Sequence, residues 1–163
     1  MNEEGQIHGL LESLRSQSHP PYEVIVTDGG STDGTPRIAS DYGCQVIVRK
    51  GLQEFPSRSP AAQQASGDIM LFTGADVTFP PHVLRNIAEG FHSEPNLLAV
   101  GGPGIPVKPP TLSGVEFAIY NFLRYLVSKL PKPLKRFSTS TNLLAMRRET
   151  FQNTPQDELN RLG

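Results

Sequence analysis

Four places in the chain carry groups whose chemistry goes beyond packing. Asp28 lies in TDGGSTDGT, directly after a β-branched run, where a carboxylate can accept hydrogen bonds from a base or a ribose. Gly29 and Gly30 beside it let a ligand come close to the backbone. Asp76 lies in LFTGADVTFP, again after an apolar run, and a carboxylate at a strand end beside a phosphate site suits a hard cation. One carboxylate alone is a poor metal site, so the diphosphate of a ligand must supply further oxygens. Arg58, in PSRSPAAQQASGD, offers a guanidinium that pairs bidentately with a diphosphate. Asp157 and Glu158, in PQDELNRLG, can serve as a general base that takes the proton of an acceptor hydroxyl. Each group has a plainer alternative. The two aspartates can be turn residues held by their own backbone, the arginine a solvated side chain, and the acidic pair a complement to a helix dipole. Glycines 29, 30 and 34 do not fit G-x-G-x-x-G, which disfavours NAD.

The elements that must position these groups alternate along the chain. Ile7, Leu10, Leu11 and Leu14 recur at helical spacing, Glu3 and Glu4 favour the positive end of that helix, and His19-Pro20-Pro21 ends it. Residues 22–27 (YEVIVT) predict a strand. A helix capped by Asp33, with Pro36 in its first turn and Gly43 at its close, follows it. Residues 44–48 form the second strand, 61–65 a short helix and 68–73 (DIMLFT) the third strand. Pro80 and Pro81 open a helix with Leu84, Ile87, Ala88 and Phe91 inward, and residues 97–100 form a fourth strand. A proline-rich loop (101–110), a long helix (112–130), a fifth strand (141–146) and helical pieces at 146–151 and 157–162 complete the chain. Such alternation predicts parallel βαβ units, in which ligands gather outside the carboxyl ends of the strands. Asp28 and Asp76 both stand there.

The helix over 112–130 has a narrow polar arc (Glu116, Asn121, Arg124, Ser128) and a wide apolar remainder. Burial is the ordinary explanation. Contact with a membrane interface is the sharper one, favoured by Lys129, Lys132, Lys135 and Arg136 immediately after it.

Composition bounds the rest. The chain has 163 residues, enough for one domain with a real core. Fifteen Lys and Arg against sixteen Asp and Glu give a net charge of −1, with no global drive toward nucleic acid. One cysteine, Cys44, excludes an internal disulfide and a cysteine-rich zinc site. The four histidines have no metal-ligand spacing and read as surface residues. Fifteen Pro and fifteen Gly imply many turns rather than a helical bundle. No apolar run is long enough for a transmembrane helix, and the acidic start is unlike a signal peptide.

Together these segments resemble the inverting family 2 glycosyltransferases of the GT-A fold. TDGGSTDGT is similar to that family's VDDGSTDGT segment. SRSPAAQQASGDIMLFTGAD is similar to its A-R-N-x-G…A-x-G-D-I-L-x-F-x-D-A-D run, which sets Arg58 on the family's arginine. STSTNLLAMRRETF resembles the family's later strand and following R-R, and NEE at the start resembles the end of P-x-Y-N-E-E. The resemblance implies an α/β, Rossmann-like, mostly parallel sheet with helices on both faces. It implies one domain over 1–163, with a nucleotide-binding part at 1–102 and an acceptor-side part at 103–163. A nucleoside diphosphate sugar would be the donor, with Mg²⁺ or Mn²⁺ on its diphosphate. Glu3, Asp28 and Arg58 would bind nucleotide, Asp76 the metal, and Asp157 would be the base. The acceptor would be a hydroxyl or a lipid phosphate such as polyprenyl phosphate. The implied location is the cytoplasm, with peripheral contact at the inner face of the membrane.

Three departures from the family pattern stand out. Its D-x-D is Gly74-Ala75-Asp76 here, without the first carboxylate. Its acidic pair is Gln156-Asp157, with non-standard spacing to the next Leu-x-x-Arg, so Glu158 competes for the role of base. The family's first strand, central between the strands at 22–27 and 68–73, is absent ahead of Met1, which gives the expectation of a chain truncated at both ends. A degenerate, non-catalytic nucleotide- or partner-binding module of the same fold is the rival reading. A nucleotidyltransferase, the third, lacks its glycine-rich basic loop in MNEEGQIHG.

Overall fold

A computed structural model describes residues 1–51, 58–102, 119 and 143–155, with Arg58 and Ser59 described by backbone alone. The first element, α1 (Glu4–Arg15), forms as its apolar spacing requires: Ile7, Leu10, Leu11 and Leu14 are all buried on one face. Glu4 in the first turn and Arg15 in the last complement the dipole. A parallel unit follows, made of β1 (Ile25–Asp28), α2 (Thr35–Asp41) and β2 (Gln45–Val48). Ile25 faces Gln45 and Asp28 faces Val48, so the carboxyl ends of the two strands are level. Gly43, at φ 77°, turns the chain out of α2 as a left-handed residue after the helix.

The chain continues through α3 (Arg58–Gln64), β3 (Ile69–Thr73), α4 (Val83–Ser93), β4 (Ala99–Gly101), β5 (Leu143–Arg147) and α5 (Arg148–Asn153). The last strand lies between the two before it and runs against both, with Leu71 opposite Ala145 and Val100 opposite Ala145 on its other side. Thus β3 and β4 run in the same direction, and β5 between them runs against both. The described strands form two ladders, β1–β2 and β3–β5–β4. A break separates the two ladders.

Two apolar clusters hold these layers. The first joins Ile7, Leu10, Leu11 and Leu14 of α1 to Ala39 and Phe79, with Val24, Val26 and Val46 beside one ladder and Leu71 and Leu143 from the other packed against it. The second joins Ala62, Met70, Leu144, Met146 and Phe151. Each fully buried Leu or Ile contributes about 1.5–3 kcal/mol, so the α1 face is the main link across the break. Polar staples add direction. Gln17, buried, donates from Nε2 to the carbonyls of Ser13 and Pro80 and accepts from the Leu84 N–H, tying α1 to the entry of α4. Arg147 donates to the carbonyls of Leu97 and Phe91 and lies over the Phe91 ring, holding the end of α4 to β5.

Several sequence expectations need adjustment. The first strand begins at Ile25 rather than Tyr22, because Tyr22 is exposed and the Glu23 carboxylate turns to the Ser66 and Gly67 N–H groups. Asp33 does not stand at the helix cap; Gly34 does, and Asp33 accepts from the Thr35 N–H and hydroxyl from one residue earlier. The helices expected over 112–130 and 157–162 fall on residues outside the described set, apart from Ile119, which is helical and exposed. Among the described residues no helix is long and apolar enough to cross a membrane.

Candidate functional site

The rim at the carboxyl ends of β1 and β2 is built around Asp28. Its side chain is buried, and one carboxylate oxygen accepts from the N–H groups of Gly30 (2.9 Å) and Ser31 (2.8 Å). The other oxygen accepts from the Ser31 hydroxyl. Burial pushes the carboxyl up, and the Ser31 hydroxyl, the Ser31 and Gly30 N–H groups and the nearby chain-terminal ammonium outweigh it, so the net shift is downward. Asp28 is therefore an anion that shapes its own turn. A carboxylate has about four lone-pair positions, so three bonds leave room for one ligand donor. Gly30, at φ 101°, takes the left-handed conformation this turn needs.

The chain start lies along this loop. The Asn2 N–H donates to Ser31 Oγ (2.9 Å), and Asn2 Oδ1 accepts from the Thr32 N–H (2.9 Å). Glu3 donates its N–H to Thr35 Oγ1, and Glu4 both donates to Asp33 and accepts from the Gly34 N–H. The Glu3 carboxylate is partly exposed, receives Gln6 Nε2 and sits 3.9 Å from the terminal ammonium. Glu3 and Asp28 thus share one rim, linked through Asn2 and Ser31.

Asp76 belongs to the same end of the molecule by the register of its segment along α1. Gly9 stands by Thr78, Ser13 Oγ accepts from the Phe79 N–H, Gln17 reaches the Pro80 carbonyl and the Ser18 N–H donates to the Pro81 carbonyl. Residues 78–81 therefore run toward the C-terminus of α1, and Asp76, two residues before them, lies toward the end that carries Glu3. Its carboxylate is exposed and is bonded to none of the described residues. Arg58 opens α3, whose other end is fixed at the opposite edge: Gln64 accepts from Gln45 at the start of β2, and Glu23 holds Ser66 and Gly67. The helix runs against β1, so the backbone of Arg58 is at the carboxyl-end rim. Asp157 and Glu158 lie outside the described residues.

The same strand-end rule that singled out Asp28 and Asp76 also reaches the end of β2, where the sequence reading passed over Arg49 and Lys50. The Arg49 N–H donates to the Asp28 carbonyl (2.8 Å), and the Lys50 stem lies across Gly30. Nothing in the sequence foretells the clasp of Asn2 on Ser31 and Thr32, since those partners are about thirty positions apart. Cys44 is half-buried and burial pushes its thiol up, which disfavours the thiolate.

Among the described residues no group of three or more His, Cys, Asp or Glu could hold a metal ion. A resident metal cage is not built here. One exposed carboxylate at a strand end does fit a hard cation that keeps its waters and arrives on phosphate oxygens.

Comparison with known proteins agrees with this layout. The family model of glycosyl transferase family 2 matches residues 1–153. A solved mannosyltransferase from Pyrobaculum calidifontis, in complex with GDP-Man and Mn²⁺, superposes with a TM-score of 0.67 at 27% identity, covering 99% of this chain and 44% of that one. The 4,4'-diaponeurosporenoate glycosyltransferase of Staphylococcus aureus is 31% identical over 135 residues, 64% of this chain and 36% of that protein. A glucosyl-dolichyl phosphate glucuronosyltransferase of Haloferax volcanii is 24% identical over 103 residues, 59% of this chain and 32% of that protein. The chain thus spans about a third of these two relatives. The family match runs over nearly the whole chain: the chain, with its GT-A fold, belongs to glycosyl transferase family 2.

Proposed function

We propose that this chain is the donor-binding part of an inverting glycosyltransferase that moves a sugar from a nucleoside diphosphate sugar to an acceptor hydroxyl or lipid phosphate. The observation that carries the reading is the gathering of Glu3, Asp28, Asp76 and the start of α3 at one rim of the layered sheet. In this reading Asp28 and Glu3 accept hydrogen bonds from the nucleoside. Arg58 pairs with the diphosphate, and Asp76 is the protein ligand of a Mg²⁺ or Mn²⁺ carried on it. The cation, when bound, lowers the cost of charge developing on the leaving diphosphate. The acceptor oxygen attacks the anomeric carbon from the face opposite the diphosphate. The bond to the diphosphate oxygen breaks, and Asp157, with Glu158 as the competitor, takes the acceptor proton. The Haloferax relative is named for a glucosyl-dolichyl phosphate, which supports a hydroxyl of a lipid-linked sugar as the acceptor class here.

Calorimetric titration of the folded chain with GDP-mannose, UDP-glucose and UDP-N-acetylglucosamine in Mn²⁺ tests the reading. Saturable heat from one donor is expected; no heat from any of them, with circular dichroism confirming the fold, sinks it. The glycine at position 74 favours a second reading, a binding module without transfer. That reading expects the same donor heat but no release of nucleoside diphosphate on incubation with acceptor lipid or with water.

A further inference from the structure

Asn2 carries the one left-handed backbone outside glycine among the described residues, at φ 59°. Few side chains tolerate that region, and asparagine is among those that do. Here the conformation serves a contact. Asn2 meets the loop after β1 with two polar groups at once. Its N–H donates to Ser31 Oγ (2.9 Å), and its side-chain Oδ1 accepts from the Thr32 N–H (2.9 Å). Two residues on, α1 begins, a helix fixed to the core by Ile7, Leu10, Leu11 and Leu14. Asn2 thus ties the loop to a rigid element. Glycine at 29 allows the close fit, since a Cβ there would meet Met1 Cγ at 2.8 Å.

Ser31 passes this contact on to Asp28. A hydroxyl has one proton to give and two lone pairs. The Asn2 N–H takes one lone pair, and the proton goes to Asp28 Oδ1. The Ser31 N–H meets Oδ2 of the same carboxylate (2.8 Å). Freed from Asn2, the Ser31 hydroxyl can turn to water, and the carboxylate loses the bond that aims its remaining lone pair. We infer that Asn2 is a positioning residue for the nucleoside: acting through Ser31, it fixes the direction in which the Asp28 carboxylate meets the donor. The inference rests on the proposed role of Asp28 toward the nucleoside. A plainer role, in which Asn2 only closes the chain start onto the fold, gives no energetic link between Asn2 and Ser31 in nucleotide binding. Asn2 is exposed, so its replacement changes overall stability little.

The test compares wild type, Asn2→Leu, Ser31→Ala and the double variant, each as the full chain. Leucine keeps the reach of asparagine, has no acceptor and disfavours a left-handed backbone. Calorimetry with UDP and with GDP in Mn²⁺ reads Kd, well below the lowest melting temperature of the set. In the ligand-free chain, ¹³C nuclear magnetic resonance follows the Asp28 carboxyl through its titration. Asn2→Leu should raise the Kd of the nucleotide that wild type binds by about tenfold and move the Asp28 midpoint upward. In the Ser31→Ala background the same change should add less than twofold, because the two residues act along one path. A Kd for Asn2→Leu within twofold of wild type overturns the inference and leaves the nucleoside role of Asp28 standing. So does an equal fold-loss in both backgrounds, or an Asp28 midpoint that does not move. Wild type that binds neither nucleotide overturns the inference together with that role.

Discussion

Asp28 ends β1 and Asp76 stands three residues past the end of β3, and the two are used in opposite ways. Asp28 is buried and spends three hydrogen bonds on Gly30 and Ser31, so its charge organises a turn. Asp76 is exposed and bonded to none of the described residues, so its charge is available to solvent and ligand. The same residue type after two apolar runs thus divides into a scaffold group and a free group. The neighbours decide which. After Asp28 come Gly-Gly-Ser, whose N–H groups and hydroxyl turn back onto the carboxylate. Before Asp76 comes Gly74, which offers space and no donor side chain.

Substitution at Asp76 is the sharpest way to break this division. Asp76→Asn should lower metal-dependent sugar transfer, or donor hydrolysis, by about 100-fold or more, equal to ~2.7 kcal/mol of transition-state stabilisation. Its melting temperature should stay near wild type, since an exposed side chain without partners changes stability by only about 0.5 kcal/mol. A large drop in the melt would show that Asp76 is a scaffold group as well, and the contrast would fall.

Asp28→Ala should do the reverse. It leaves the Gly30 and Ser31 N–H groups without their acceptor beside a buried turn, at about 2–3 kcal/mol. A chain of this length then loses roughly 4–12 °C in melting temperature. Nucleotide binding falls with it, so differential scanning calorimetry without ligand is the informative measurement. An unchanged melt would make Asp28 a ligand group rather than a structural one.

A smaller effect sharpens the picture of the clasp. Thr35 is buried, accepts from the Glu3 N–H and donates to Asp33. Thr35→Val keeps the shape and removes both bonds, for about 1 kcal/mol in urea unfolding. No change at all would mean that the chain start rests on the loop without being held by it.

How far the sequence foretold these arrangements depended on the range of the interaction. Helix α1 was legible because Ile7, Leu10, Leu11 and Leu14 report their shared face through spacing alone. The turn after β1 was legible because Asp-Gly-Gly-Ser carries its own acceptor and donors. The direction of β5 was not, since an apolar run such as LLAM states that a strand is buried and not which way it runs. Arg147 was visible as half of an Arg-Arg pair, yet its work, gripping the carbonyls at the end of α4, depends on partners about fifty positions away. Glu23 was hidden in the same way: within YEVIVT it reads as a strand residue, and its partners Ser66 and Gly67 come only with the fold.

The finest distinction between scaffold and free groups is their dependence on pH. The carboxyls of Asp28, Glu23 and Asp33 all lie below their usual range: Asp28 by its turn bonds against burial, Glu23 first by the Ser66 N–H, and Asp33 first by the Thr35 hydroxyl. A depressed carboxyl binds its proton less readily in the folded state. Its stabilisation is complete above the unfolded value, about 3.9 for Asp and 4.3 for Glu, and fades as pH falls through the lower folded value. Stability should therefore be level from neutral pH to about 5 and decline below about 4. In Asp28→Asn the decline should be shallower, so the gap in unfolding free energy between it and wild type closes as the solution is acidified. Urea titrations at a series of pH values read that gap directly. A gap that stays constant down to pH ~3 would mean that the Ser31 and Gly30 bonds do not favour the charged form of Asp28.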